Sequence, residues 1–280
     1  MNPYSRNAAG PSLVLAAGVR TPWVRAGGAF AKEDAAHLGA LVAREVLARA
    51  GLDPSDLDEV LTGCVGPPYD QANVSRVLAL PAGAPWPVTA KTLGRNCASG
   101  MESVTSAVTA AAAGLGSAFL CLGLEHMSGY PLVVGRKMTG LFARLAKART
   151  PGAKLAALTS FRPSWLAPRI ALLEGLTDPV SGLIMGSTAE LLARDWGISR
   201  AEADGFAAES HGRAQRSRDA GRLAQEIIPV LPLGARDPGA AVEHDDGIRD
   251  GQSVEALAKL RPYFEKPDGV VTVGNACGIT

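Results

Sequence analysis

Arg95-Asn96-Cys97-Ala98-Ser99-Gly100-Met101 is the stretch on which the reading of this chain turns. A cysteine stands there among small and polar residues, just ahead of a long helical pattern. Met101, Val104, Val108, Ala111 and Leu115 follow at alternating steps of three and four, which is one face of an α-helix. The spacing puts Cys97 at the first turn, where unpaired backbone N–H groups and the positive end of the macrodipole favour a thiolate. A nucleophilic thiol needs that setting. The alternative is a small buried cysteine that packs as an alanine would.

Outward from this stretch, strands and helices alternate. Upstream, Val88–Leu93 reads as a short extended segment that delivers the chain to Cys97, preceded by a Pro- and Gly-rich loop at Pro81–Pro87. Gln71–Ala79 reads as a short helix, and Val60–Val65 as a strand stopped by Gly66-Pro67-Pro68. Asp34–Arg49 carries Leu38, Leu41, Val42 and Val46 at helical spacing, with Gly51 as its terminator. Ser12–Gly18 is a short apolar run that predicts a buried strand. Downstream, Gly114 and Gly116 end the helix, and Ala118–Gly123 is again strand-like. The order β-α-β-α-β-α-β predicts a layered α/β fold with a largely parallel sheet.

Past Leu124 the texture changes. No acidic residue occurs between His126 and Leu173, while Arg136, Lys137, Arg144, Lys147, Arg149, Lys154, Arg162 and Arg169 do. This span reads as an inserted, mostly irregular segment with short helices. A cluster of one sign attracts phosphate or anionic lipid; the plainer alternative is a solvated surface paired with acids elsewhere. Order returns at Met185. Ser187-Thr188-Ala189-Glu190 and Ser199-Arg200-Ala201-Glu202 both match a capping box and predict two helix starts, with Gly197 and Gly221 as the stops. Glu226–Val230 and Val270–Val273 are strand candidates, and Gly274-Asn275-Ala276-Cys277-Gly278 is a tight loop.

Composition narrows the function. The 280 residues carry 28 Lys+Arg against 27 Asp+Glu, so no global field points to nucleic acid. The four cysteines, Cys64, Cys97, Cys121 and Cys277, form no Cys-x-x-Cys pair and fit no metal site. Met1–Gly10 has no apolar core of a signal peptide, and no apolar run is long enough for a membrane span. Free thiols in a reducing, cytoplasmic setting are the expectation.

Taken together, these pieces resemble the thiolase family. Arg20-Thr21-Pro22 is similar to its opening, and Asn96-Cys97-Ala98-Ser99-Gly100-Met101 to its nucleophile motif. Gly123-Leu124-Glu125-His126-Met127-Ser128 is similar to the turn after the next strand, and Met185-Gly186-Ser187-Thr188-Ala189-Glu190 to the start of a later helix. Ile248-Arg249, Leu257-Ala258-Lys259-Leu260-Arg261-Pro262 and Thr272-Val273-Gly274-Asn275-Ala276-Cys277-Gly278 complete the series in the family's order. The resemblance implies the family's N-terminal domain, with a mixed, mostly parallel five-stranded sheet and helices on both faces, formed by residues 1–127 and 226–280. Residues 128–225 would be an inserted α-rich loop domain for coenzyme A and substrate, and the family's C-terminal domain would be absent.

The resemblance also implies the chemistry. Cys97 would accept an acyl group as a thioester, so that 3-ketoacyl-CoA is cleaved by coenzyme A or two acyl-CoA molecules are condensed. Arg249, Met185, Cys277 and Gly278 match family positions around coenzyme A, which is a substrate and not a permanent cofactor; Cys277 stands where serine is usual. Asn-Glu-Ala-Phe, Gly-His-Pro and Cys-x-Gly-Gly, which carry the family's activating histidine and second cysteine, do not occur in the 280 residues. The segment Ser128–Ile184 is similar to the thiolase subunit of the fatty-acid β-oxidation complex, where that region contacts partner or membrane. Ile184 stands where small-substrate members have histidine, which leans toward longer acyl chains. A homodimer or tetramer is implied. Two other readings stay open: a non-catalytic or truncated coenzyme A-binding or dimerisation module that needs a separate C-terminal half, and a carrier-protein condensing enzyme of the wider superfamily.

Overall fold

The computed structural model describes residues 13–280, and these divide into two compact units. The first comprises the described part of Met1–Gly129 together with Glu209–Gln252 and Gly278–Thr280; the second comprises Tyr130–Ala208 and Ser253–Cys277.

The first unit is organised around a parallel sheet of order β2-β1-β3, with β1 Glu59–Gly63, β2 Thr89–Leu93 and β3 Phe119–Gly123. Central β1 pairs in register with both neighbours, and its Val60, Leu61 and Thr62 have no exposed surface. Buried on both sides, it reads as a continuous apolar run and not as an alternating one. Side chains nevertheless alternate by face. Val60 and Cys64 join Leu120 and Leu122 in a core with α1 Ala35–Ala50 and α2 Val74–Ala79. Thr62 points the same way and donates its hydroxyl to Ser75 of α2 at 2.9 Å. The other face receives α3 Ser99–Ala112, where the Cys121 thiol of β3 lies 3.5 Å from the carbonyl of Ser103.

α1 has the predicted ends. Asp34 caps it by accepting the N–H of His37 at 3.0 Å, and Gly51 closes it at φ +64°, a conformation glycine enters without a steric penalty. Its inner face is alanine-rich (Ala36, Ala40, Ala43), which brings the helix close to the sheet.

Three differences from the sequence reading are instructive. α3 starts at Ser99 and not at Cys97, and its buried residues are Ser99, Ser103, Ala107, Ala110 and Ala111. Met101, Val108 and Leu115 of the periodic apolar stripe are 66%, 51% and 74% exposed. Helix and sheet approach so closely that only small side chains fit between them, so the large apolar residues mark the outward face. The predicted strand over Ser12–Gly18 does not form over its described part: Val14 and Leu15 are 83% and 87% exposed, and only Arg20 makes a single parallel bridge, to Ile227. Ser12 itself lies outside the described residues. Within Glu226–Val230 and Val270–Val273 no ladder strand forms either. Leu223–Glu226 is a short helix, α9 (α4 to α8 are described below), and Val230 meets Val242 through one bridge. The sheet therefore has three strands among the described residues where five are predicted.

In the second unit, the span expected to be irregular is largely helical. After the short strand β4 Leu132–Val133 come α4 Arg136–Lys147 and α5 Pro151–Thr159, which enclose a small core of Met138, Leu141 and Ala157 with Leu145, Phe161 and Trp165 against it. Thr150 caps α5 by accepting the N–H of Ala153 at 3.2 Å, and Pro151 takes the first position, where a missing N–H costs nothing. β5 Arg169–Ile170 pairs antiparallel with β4. The short α6 Ala171–Gly175 precedes α7 Met185–Trp196 in this unit, which also holds α10 Val254–Ala258; α8 Arg200–Asp219 has its residues up to Ala208 here and those from Glu209 in the first unit. No helix among the described residues is long and apolar enough to cross a membrane.

Candidate active site

The C-terminal ends of β1 and β3 are both glycine, and α3 begins directly on them. A Cβ on Gly63 would lie 1.9 Å from the Ser99 carbonyl oxygen, and one on Gly123 would lie 3.3 Å from the Cα of Gly100. The loop 94–98 is therefore carried over the carboxyl edge of the sheet, where open α/β folds bind ligands.

Cys97 sits in that loop, exposed, two residues ahead of α3. Asn96 before it has φ +48°, alone among the described non-glycine residues in being positive; asparagine enters this left-handed turn more readily than most L-residues. The Ser99 hydroxyl accepts the Arg95 N–H at 2.8 Å and donates to the Asn96 carbonyl at 2.7 Å. Arg95 pairs with Glu102 at 2.7 Å. Ala98, the N-cap of α3, supplies no side-chain cap, so the donors of the first turn are left without the side-chain partner that most helix starts provide.

Cys97 lines a cavity of about 550 Å³, together with Arg20, Phe30, Gly63, Gly123 and His126. His126 is tied by Nε2 to the Phe30 carbonyl at 2.9 Å, and the Ser128 hydroxyl accepts the Gly27 N–H at 2.9 Å. Arg20 is the anchor of the opposite wall. Its guanidinium makes a two-point pair with Asp245 at 2.7 and 2.9 Å, bonds Glu226 at 2.9 Å, and stacks 4.1 Å from the Trp23 ring. Burial alone would push Asp245 up; the Arg20 guanidinium and the Trp23 N–H outweigh it and hold the carboxyl below its ordinary range. The Arg20-Thr21-Pro22 motif is thus a structural clamp on this wall.

The other cysteines have different surroundings. Burial, reinforced by the charge of Glu125, pushes the Cys64 thiol up to about 12, and burial raises Cys121 as well. Both surroundings disfavour the thiolate. Cys277 is exposed.

Of the remaining residues singled out in the sequence, Arg249 and Gly278 belong to the first unit with Cys97, whereas Met185 and Cys277 belong to the second. Arg249 is exposed, and its backbone N–H donates to His211 Nδ1 at 3.2 Å. Met185 opens α7 and is 45% exposed. Gly186 after it is packed so tightly that a Cβ would fall 2.0 Å from the Phe264 ring.

The loop that ends in Cys277 is held by residues the sequence reading assigned elsewhere. Glu190 does not cap α7, which starts at Met185 and receives no side-chain cap from Ile184. It is buried, and accepts the N–H groups of Val270 and Val271 at 2.8 and 3.0 Å. Asp204, 1% exposed, pairs with Arg200 at 2.7 Å and accepts from the Asn275 amide at 2.8 Å. Arg200 also donates to the carbonyls of Leu257 and Leu260 at 2.7 and 2.9 Å. A Cβ on Gly274 would meet Leu260 and Leu257 at 2.4 and 2.5 Å. The Leu257–Pro262 and Thr272–Gly278 motifs are thereby parts of one packed arrangement. Among the described residues no cluster of His, Cys, Asp and Glu could hold a metal ion.

The family model described as "Thiolase, N-terminal domain" matches residues 13–280. A probable acetyl-CoA acyltransferase of Staphylococcus aureus strain COL is 37% identical over 269 residues, covering 95% of this chain and 63% of the relative. An acetyl-CoA acetyltransferase of Rhizobium meliloti is 35% identical, covering 96% and 63%. Among solved structures, the Bacillus anthracis acetyl-CoA acetyltransferase superposes with a TM-score of 0.81 at 31% identity, over 95% of this chain and 62% of that one. Human mitochondrial 3-ketoacyl-CoA thiolase in complex with CoA gives 0.78 at 28%, over 94% and 60%. The chain thus spans about 63% of the length of the curated relatives it matches. From its sequence, its α/β fold and these likenesses, the chain belongs to the thiolase N-terminal domain family.

Proposed function

We propose that this chain carries the acyl-accepting half of an acyl-CoA C-acyltransferase, in which Cys97 forms the thioester intermediate. The observation that supports it is the placement of an exposed thiol in a cavity, at the carboxyl edge of the sheet and beside a helix start with no side-chain cap. The Cys97 sulfur would attack the 3-keto carbonyl of 3-ketoacyl-CoA, so that its C2–C3 bond breaks and acetyl-CoA leaves, or the thioester carbonyl of acyl-CoA, so that its carbon–sulfur bond breaks and coenzyme A leaves. Backbone donors at the start of α3 would take the charge of the oxyanion. In either case the leaving group departs with a proton. The acyl group passes next to coenzyme A or to a second acyl-CoA. Coenzyme A is substrate here and no resident cofactor is invoked.

Arg249 would meet the nucleotide end of coenzyme A, and Met185, Cys277 and Gly278 the pantetheine. Residues 128–225 would form the coenzyme A- and substrate-binding insertion on a core of 1–127 and 226–280. A cytoplasmic homodimer or tetramer, with a β-oxidation partner subunit, completes the reading. A release assay for free thiol, with 3-ketoacyl-CoA and coenzyme A, tests it: the 280 residues alone turn over slowly, because Gly-His-Pro and Cys-x-Gly-Gly do not occur in them, and Cys97→Ala removes what turnover there is. Equal rates would remove Cys97 from the mechanism.

A second reading, a binding or dimerisation module that works with a separate C-terminal half, is favoured by the exposed apolar residues Met101 and Val108 on α3 and Leu115 just past its end. Self-association in sedimentation supports it; a monodisperse monomer speaks against it.

A further inference from the structure

We propose that Ser99 is the positioning residue for Cys97: its hydroxyl latches the strained turn that presents the thiol. The proposal rests on the nucleophile reading above. Asn96 holds φ +48° directly ahead of Cys97, a left-handed turn that asparagine enters more readily than most L-residues and that a bonded neighbour fixes in place. Ser99 is that neighbour. Its hydroxyl accepts the Arg95 N–H at 2.8 Å and donates to the Asn96 carbonyl at 2.7 Å. Its own N–H reaches the same carbonyl at 3.0 Å. The bonds run from one side of Cys97 to the other, so the cysteine is the crest of a closed loop.

The latch itself cannot drift. Ser99 is 3% exposed, and its carbonyl group lies so close to Gly63 that a Cβ there would come within 1.9 Å. Alanine at 99 would keep the packing and lose both side-chain bonds. Ser103, one turn further on, supplies the contrast. It is 1% exposed and donates to the Gly100 carbonyl at 2.7 Å within its own helix. It has the same chemistry and no link to the Cys97 loop.

Peptide-resolved alkylation of the 280-residue chain by iodoacetamide reads the effect. In that step the sulfur bonds the methylene carbon, the carbon–iodine bond breaks, iodide leaves, and the thiol proton goes to solvent. In the unsubstituted chain Cys97 reacts faster than Cys277. Ser99→Ala slows Cys97 about tenfold, within the range for the loss of its two side-chain hydrogen bonds, and leaves Cys277 unchanged. Ser99→Thr, which keeps the hydroxyl, returns Cys97 to within about threefold of the original rate, and Ser103→Ala leaves it there. Alkylation of Cys97 at the original rate in Ser99→Ala, or equal slowing in Ser103→Ala, overturns the proposal. Should Ser99→Ala not fold, Asn96→Gly carries the test: glycine adopts this φ freely, and with Ser99 in place the rate holds, whereas a tenfold fall would make asparagine and not serine the residue in charge. If Cys97 reacts no faster than Cys277 in the unsubstituted chain, the nucleophile reading fails and the positioning role with it.

Discussion

At Ser199 the start of α8 is closed by its own side chains. Glu202 accepts the Ser199 N–H and hydroxyl at 2.8 and 2.7 Å, and the Glu202 N–H returns to the Ser199 hydroxyl at 3.2 Å. At Ala98 the start of α3 has no side-chain cap. It is held instead from beneath, by backbone contact with Gly63 and Gly123, and from one side by Ser99. The capping box at Ser199 satisfies donors of its own first turn, whereas α4 and α7 share with α3 a start that has no side-chain cap. The start of α3 beside the cavity is fixed by other means, with its Ser99 N–H taken by the Asn96 carbonyl at 3.0 Å, and under the proposed function its remaining first-turn N–H groups would meet the oxyanion. What sets the start of α3 apart is its place beside Cys97 at the cavity.

Four substitutions and one change of pH can break or sharpen that contrast. Under the proposed function the largest effect is expected from Cys97→Ala, which would lower acyl transfer by at least about a thousandfold while leaving the fold intact, since it deletes the proposed nucleophile and not a packing group. Thiol release and a urea unfolding curve check the two halves of that statement. Next is Gly63→Ala. The new Cβ meets backbone atoms of Ser99 and Gly100, which cannot move aside as a side chain would, so the cost is about 3 kcal/mol, read from the urea midpoint. Glu190→Ala follows at about 2 kcal/mol, because two buried backbone N–H groups lose their acceptor. Ser199→Ala loosens only the closed start of α8, for about 1 kcal/mol.

The smallest effect is one of pH. Ser199 holds the Glu202 carboxyl below its ordinary 4.5. Its charged form is therefore favoured in the folded chain, and the stability it contributes is present above that ordinary value and lost as pH falls through the lower folded one. The penalty of Ser199→Ala should accordingly shrink on acidification below about 4.5. A penalty independent of pH would mean that Glu202 is not the partner that matters.

The sequence makes much of this legible, and its failures have physical causes. The alternation from α1 to β3 is readable because β1 and β3 are apolar runs bounded by glycine, and α1 carries both its Asp34 cap and its Gly51 stop. The exposed thiol ahead of a helix is readable at Cys97. The orientation of α3 is not: large apolar residues at helical spacing normally face the core, but the close approach at Gly63 and Gly123 reserves the inner face for serine and alanine. That pair of strand-ending glycines was the available signal. The two Ser-x-x-Glu sequences are equally good capping boxes on paper. Ser199 and Glu202 form one. Ser187 and Glu190 do not, because Glu190 is drawn into the buried contact with Val270 and Val271, some eighty residues away along the chain. Local pattern does not register a partner at that separation. For the same reason the strand-like run Val270–Val273 is held by Glu190 and Asn275 side chains and not by a neighbouring strand.

The most direct test of a nucleophile presented by an open helix start is to incubate the chain with acetyl-CoA and locate the acetyl group by peptide mass spectrometry. The expected result is one acetyl group, on Cys97, with an equal amount of free coenzyme A released and no acetyl on Cys64, Cys121 or Cys277. Acetylation of Cys277 in preference to Cys97, or coenzyme A release that persists in Cys97→Ala, would contradict it.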